Sequence, residues 1–85
     1  MLTYKDCLDW SDIDQGEVDA IAEHEHLDRI QALAYGDKLA HQRDGSRKMR
    51  RIMIDDIRHA QVNHKRNHEA ELRRTLGQYI KSHPL

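Results

Sequence analysis

The chain has 85 residues, and we expect residues 1–85 to form one small domain. Charged residues make up 34% of it and hydrophobic residues 38%, with no Phe and one Trp, so the apolar core is lean and self-association would add burial. The single cysteine, Cys7, excludes an internal disulfide, and no apolar run has the length of a signal peptide or a membrane-spanning helix, so we expect a soluble cytoplasmic protein.

The formal net charge of −1 is unevenly distributed along the chain. Residues 1–42 contain ten Asp or Glu and three Lys or Arg, a net charge of −7. Residues 43–85 contain five Asp or Glu and eleven Lys or Arg, a net charge of +6. This segregation implies that the two halves face each other, within one chain or across a dimer, or that the basic half meets an external polyanion.

The first half of the chain carries two helix start signals. Thr3 with Asp6 resembles a capping box and begins a short helix, and Asp14 followed by Glu17 begins a longer one. Apolar residues then recur at spacings of three and four, but a second apolar stripe opens after residue 26. The pattern leaves two alternatives open: either this helix kinks near 26–28, or its second half is covered on both sides.

The second half of the chain predicts a turn and two more helices. The turn is RDGS, residues 43–46, and Ser46 is expected to cap a helix over about 47–63. The last helix covers about 66–82. No stretch has the alternation of a strand, so we predict an all-α fold. Its form is a helical hairpin or small bundle of three main helices plus a short N-terminal helix, dimerising with a second copy.

Three short segments of the sequence carry a resemblance. LTYKDCL, VDAIAEHEH and MIDDI, at residues 2–8, 18–26 and 53–57, resemble segments of a group of small uncharacterised bacterial helical proteins. Through these matches the likeness covers most of the chain. It implies a small bacterial helical protein and brings no known activity or site with it.

Two helices carry a carboxylate followed by a histidine three residues later, Glu23 with His26 and Asp56 with His59. Residues three apart project from the same side of a helix, and carboxylate-bridged di-iron and di-manganese bundles use this spacing to bind an ion. Carboxylate oxygens with imidazole nitrogens suit Fe, Mn or Zn. One hypothesis is therefore a divalent metal site built from these four residues.

A structural interpretation of the same region is favoured over the metal site. Glu25 precedes Arg29 by four residues, the spacing of an ion pair on a continuous helix. Asp56 lies in an apolar stripe, where a carboxylate needs a partner. Arg29 bridging Glu25 and Asp56 would form a structural ion network that joins the acidic half to the basic half.

The densest basic segment supplies candidate contacts for a polyanion, namely Arg47, Lys48, Arg50 and Arg51. A sequence pI near 6.6 and the lack of an aromatic platform disfavour nucleic acid as that polyanion. Catalysis is disfavoured too, because the acids beside Cys7 oppose the thiolate and no phosphate loop occurs. The sequence therefore predicts a protein-interaction or scaffold module acting as a homo-oligomer, with a metal-binding bundle and nucleic-acid binding as alternatives.

Overall fold

The computed structural model describes residues 3–11 and 13–83, and this part of the chain is all-helical, with no strand. It contains five helices: α1 (Tyr4–Trp10), α2 (Gln15–Glu25), α3 (Arg29–Ala40), α4 (Gly45–Val62) and α5 (Arg66–Ser82). The all-α prediction is confirmed. The count of three main helices is not, because the segment predicted as one long helix forms α2 and α3. No helix in the described ranges has the length and apolar character needed to cross a membrane.

The chain breaks between α2 and α3 because its backbone and capping preferences change at residues 26–28. His26 ends α2 in the left-handed conformation, with φ of 56°. Asp28 then accepts a hydrogen bond from the Gln31 backbone N–H at 2.8 Å, and its own N–H donates to the Gln31 side chain. This capping box starts a new helix. Of the two alternatives left by the sequence, the kink is therefore the correct one, and it is a complete break.

The predicted starts of the first two helices are confirmed. Thr3 and Asp6 form a complete capping box at α1. Asp14 is the N-cap of α2 and accepts a hydrogen bond from the Glu17 backbone N–H at 2.9 Å. Local hydrogen bonds of this kind depend on residues three apart, which explains why the sequence alone located them.

The predicted cap of the fourth helix is wrong. α4 begins at Gly45, so Ser46 lies inside its first turn, where the Ser46 hydroxyl accepts a hydrogen bond from the Tyr79 hydroxyl at 3.3 Å. Gly45 is buried against the end of α3, and a Cβ atom at this position would overlap the Leu39 carbonyl group. Glycine therefore allows α3 and α4 to approach closely, joining the acidic half to the basic half.

The core lies where α2, α3 and α4 pack together, with α5 covering α4. The largest fully buried side chains come from α2 and α4: Val18, Ile21, Met49 and Met53. The stripe predicted for α4 is buried throughout and consists of Met49, Ile52, Met53, Asp56, Ile57 and Ala60. α5 adds Leu72 and Tyr79. Asp56 is thus fixed in the middle of an apolar interface.

Candidate functional site

The candidate functional residues lie on three surfaces of the molecule. The first is a cavity of about 410 Å³ between α2 and α4. We call it the acid–histidine cavity, and it is lined by Ala22, Glu23, His24, His26, Asp55, Asp56 and His59. The four predicted metal ligands are therefore brought to one place. Within residues 3–11 and 13–83, however, no three His, Cys, Asp or Glu side chains lie close enough together to hold one metal ion. Metal binding stays a prediction.

Asp56 is the buried carboxyl group of this cavity. The residue is 3% exposed, and its Oδ2 atom has no hydrogen-bond donor among the described groups. Burial raises the pKa of Asp56 to about 7, and the negative charges of Glu23 and Asp55 add to the increase, whereas His24 and His68 oppose it. The carboxyl group therefore keeps its proton to a higher pH than an exposed aspartate does.

Two histidine–carboxylate pairs surround Asp56 and link the helices. The His24 ring lies between Asp55 and Glu25, with Nε2 and Nδ1 each 3.2 Å from a carboxylate oxygen. Partial burial lowers the pKa of His24, but these hydrogen bonds outweigh it, so the pKa lies above its ordinary value. His68 Nε2 on α5 lies 2.7 Å from Glu23 Oε2. The sequence analysis missed both pairs because their members on different helices are 31 and 45 residues apart.

The predicted ion network of Glu25, Arg29 and Asp56 does not form. Among the residues that the structure describes, Arg29 takes part in no ion pair, and its guanidinium lies 4.5 Å from the centre of the Tyr4 ring instead. Glu25 is exposed and contacts His24. The prediction required one continuous helix, and the break after α2 removes the proximity that a spacing of four would give.

The second surface is a groove of about 510 Å³ between α4 and α5, which contains three of the four predicted polyanion contacts. We call it the arginine groove, and it is lined by Arg47, Arg50, Arg51, Ile54, Asp55, Arg58, Leu76 and Ile80. Lys48 does not line it; its Nζ donates to the Gln42 side chain at 3.4 Å. Arg58 was missed because it lies outside the dense basic segment, although helical periodicity places it on the same face.

The arginine groove combines positive charge with exposed apolar side chains. None of its four arginines forms an ion pair with any residue in the described part of the chain. The Arg50 Nε donates only to the Ser46 carbonyl, at 3.4 Å. Ile54 and Ile80 are 39% and 48% exposed. Such a groove suits a partner surface that offers carboxylates together with an aromatic or aliphatic side chain.

The third surface lies between α1 and α3, is largely apolar, and includes the carboxylate of Asp37. We call it the Trp10 patch, and it is lined by Cys7, Trp10, Ser11, Ile30, Leu33, Ala34 and Asp37. Trp10 is 72% exposed and Ile30 is 68% exposed, more than any other large apolar side chain in the described part of the acidic half. Lys5, Asp6 and Asp9 lie on the same short helix but do not line the patch. An exposed Trp next to other exposed apolar side chains is typical of an interaction surface.

Comparison with family models, curated proteins and solved structures finds no match to this chain. Its function is therefore inferred from the three surfaces themselves.

Proposed function

We propose that the chain is a protein-interaction module that acts as a homodimer, in which the Trp10 patch of one copy occupies the arginine groove of the other. The supporting observation is that the groove holds four arginines with no ion-pair partner among the described residues, next to exposed isoleucines, while the patch offers an exposed tryptophan and the carboxylate of Asp37. The two surfaces belong to different halves of the chain, so a second copy supplies what each one lacks.

The chemistry of the two surfaces is complementary group by group. A tryptophan ring is the best aromatic partner for an arginine side chain, and its edges pack well against aliphatic side chains such as Ile54 and Ile80. The carboxylate of Asp37, which lines the patch, supplies negative charge for the arginine rim. Aromatic residues and arginine are also the residue types that dominate binding energy at protein interfaces.

Each copy carries one patch and one groove, and in the proposed two-fold dimer the same contact forms twice. A dimer closed in this way leaves neither surface unoccupied. We also place the module in a reducing compartment such as the bacterial cytoplasm. Cys7 is the single cysteine and lies exposed in the Trp10 patch, where a thiol that stays reduced acts as a small apolar packing group.

Sedimentation velocity of the full chain tests the proposal with two matched pairs of variants. Trp10→Asp removes the patch, and Val62→Asp makes the same kind of change at an apolar side chain that is 75% exposed outside both surfaces. Arg51→Glu reverses a charge in the groove, and Arg74→Glu reverses one outside it. We expect Trp10→Asp and Arg51→Glu to weaken dimerisation at least about tenfold and the two controls to change it less than about twofold.

Two results would contradict the proposal. One is a wild-type chain that stays monomeric at concentrations near a millimolar. The other is a monomer that binds duplex DNA with strong salt dependence and loses this binding on Arg50→Ala, which would make the groove a nucleic-acid interface.

A further inference from the structure

The acid–histidine cavity contains one group whose hydrogen bonding is incomplete. Asp56 lines the cavity, is 3% exposed, and keeps Oδ2 without a donor among the described groups. Buried polar atoms in proteins are almost always hydrogen-bonded, and an unsatisfied one lowers stability. Asp56 lines the cavity while Oδ2 itself is closed to solvent, so a donor entering the cavity would complete this carboxyl group after a small shift of the lining side chains.

The groups around Asp56 favour a positively charged donor. Among the residues that the structure describes, the cavity lining contains no Lys or Arg. Two of the surrounding histidines already have carboxylate partners, because His24 donates to Asp55 and His68 donates to Glu23. The titratable groups that face Asp56 are Glu23 and His24 on α2, His26 at its end, Asp55 and His59 on α4, and His68 on α5. Three carboxyl groups and four histidines surround the site, so the environment is net negative where most of these histidines are neutral.

The size of the cavity favours a small organic ligand. Its volume of about 410 Å³ lies in the range of small-molecule pockets. A single metal ion needs several ligands converging within about 2.0–2.6 Å of it, and no three side chains of the described ranges converge in this way. A primary ammonium is compact and carries three N–H donors, enough to bind Asp56 and a neighbouring carboxylate at once.

We propose that the acid–histidine cavity is a binding site for a small primary amine, whose ammonium group donates to the Asp56 carboxylate. The amine belongs either to a free alkylamine or to a lysine side chain of another protein. Asp55 lines both the cavity and the arginine groove, whereas Asp56 lines only the cavity, so a change at Asp56 tests amine binding separately from self-association.

NMR titration of the full chain with n-butylamine, at a pH of about 7.5, tests this site. Nα-acetyl-lysine-methylamide serves as the lysine probe, and n-butanol is the uncharged control of similar shape. We expect saturable shifts of the residues lining the cavity with at least one amine, and none with n-butanol. The probe that binds more tightly identifies the source of the amine. Binding should also lower the pKa of Asp56, measured from its carboxyl carbon, because an ammonium favours the carboxylate.

Variants make the assignment specific to the cavity. Asp56→Asn should weaken amine binding at least about tenfold, while Asp19→Asn, the same change at an exposed site of α2, should leave it within about twofold. Glu23→Gln, also in the cavity, provides a second test if Asp56→Asn fails to fold, and it should weaken binding by about threefold or more.

Three results would overturn the proposal. The first is equal shifts with n-butylamine and n-butanol, and the second is unchanged binding in Asp56→Asn. The third is stoichiometric Zn²⁺ binding that is lost on His26→Ala or His59→Ala, with no response to either amine. That last result would make the cavity a metal site.

Discussion

Helices α1–α3 and helices α4–α5 have opposite surfaces but similar interiors. The first group belongs to the half with a net charge of −7 and carries the Trp10 patch, and the second belongs to the half with +6 and carries the arginine groove. Yet each group buries one carboxyl group at 3% exposure, Glu17 in α2 and Asp56 in α4. Charge is therefore segregated on the outside of the molecule but not inside it.

The two buried carboxyl groups differ in what controls them. Burial raises the pKa of Glu17 to about 7, helped by the charge of Asp14 three residues away, and a hydrogen bond from the Asp14 backbone opposes it. The pKa of Asp56 reaches about 7 through burial and through charges on three helices. Glu17 is thus governed by its own helix start, whereas Asp56 responds to neighbours that a ligand or a mutation can change.

The largest expected effect is a loss of stability as the pH rises. In the unfolded chain both carboxyls ionise near their ordinary pKa values, but in the folded protein they keep their protons until about pH 7. Their contribution to stability is therefore full below the unfolded pKa and is lost as the pH rises through 7. From about pH 5 to about pH 8, each group should reduce the free energy of unfolding by about 2–3 kcal/mol.

Neutral variants of the two carboxyl groups measure how much each one contributes to this pH dependence. Glu17→Gln and Asp56→Asn should each flatten part of the pH dependence measured by urea unfolding, and the double variant should flatten most of it. If all three variants keep the slope of the wild type, the buried carboxyls are not its source.

The next effect concerns the junction between the halves. Gly45→Ala places a Cβ against the Leu39 backbone, which cannot rotate away, so we expect a loss of about 2 kcal/mol in the free energy of unfolding. Gly77→Ala is the control, because a Cβ there meets nothing within 4 Å. That change should be neutral or stabilise the helix by up to about 1 kcal/mol. Equal effects of the two substitutions would refute the close approach of α3 and α4.

A smaller effect should appear in the salt dependence of the dimer. Because the contact pairs opposite charges near the surface, raising NaCl from about 0.05 M to about 0.5 M should weaken dimerisation by about tenfold. Sedimentation equilibrium measures this change. An apolar contact alone would strengthen or stay constant with salt, and that outcome would argue against pairing of the two charged surfaces.

The smallest expected effect is a change in the pKa of Asp56 relative to that of Glu17. His24 lowers the pKa of Asp56 through its charge, so His24→Gln should raise that pKa further. Glu17 serves as the internal control in the same sample, because His24 is not among the groups that shift its pKa. Carboxyl-carbon NMR titration follows both. A shift of Glu17 as large as that of Asp56 would show a global change instead of a local contact.

Local patterns predicted much of the fold. The caps at Thr3 and Asp14 and the buried stripe of α4 follow from spacings of three and four residues, and all are present. The break after His26 also has a local signal, because Asp28 and Gln31 have the spacing of a capping box, whereas the apolar pattern alone left a kink near 26–28 and a continuous helix both open. Capping residues thus carry information that hydrophobic periodicity alone does not.

The candidate surfaces were less predictable because they depend on contacts between distant residues. The burial of Asp56 followed from its stripe, but its predicted partner Arg29 turned to Tyr4 once the helix ended. The pair of His68 and Glu23 joins α5 to α2, which no spacing rule specifies. Exposure of the only Trp is equally unforeseen, since an aromatic side chain in a lean core is expected to be buried.

The pairing of patch with groove is tested most directly by mixing two variants that each lack one surface. Trp10→Asp disrupts the patch but keeps the groove, and Ile54→Asp disrupts the groove but keeps the patch. Neither variant can therefore form the contact with another copy of itself. In the mixture, the intact patch of one variant can bind the intact groove of the other. Sedimentation velocity should show two monomeric variants that form a one-to-one dimer when mixed. If the mixture stays monomeric while the wild type dimerises, or if either variant dimerises alone as tightly as the wild type, the Trp10 patch does not bind the arginine groove.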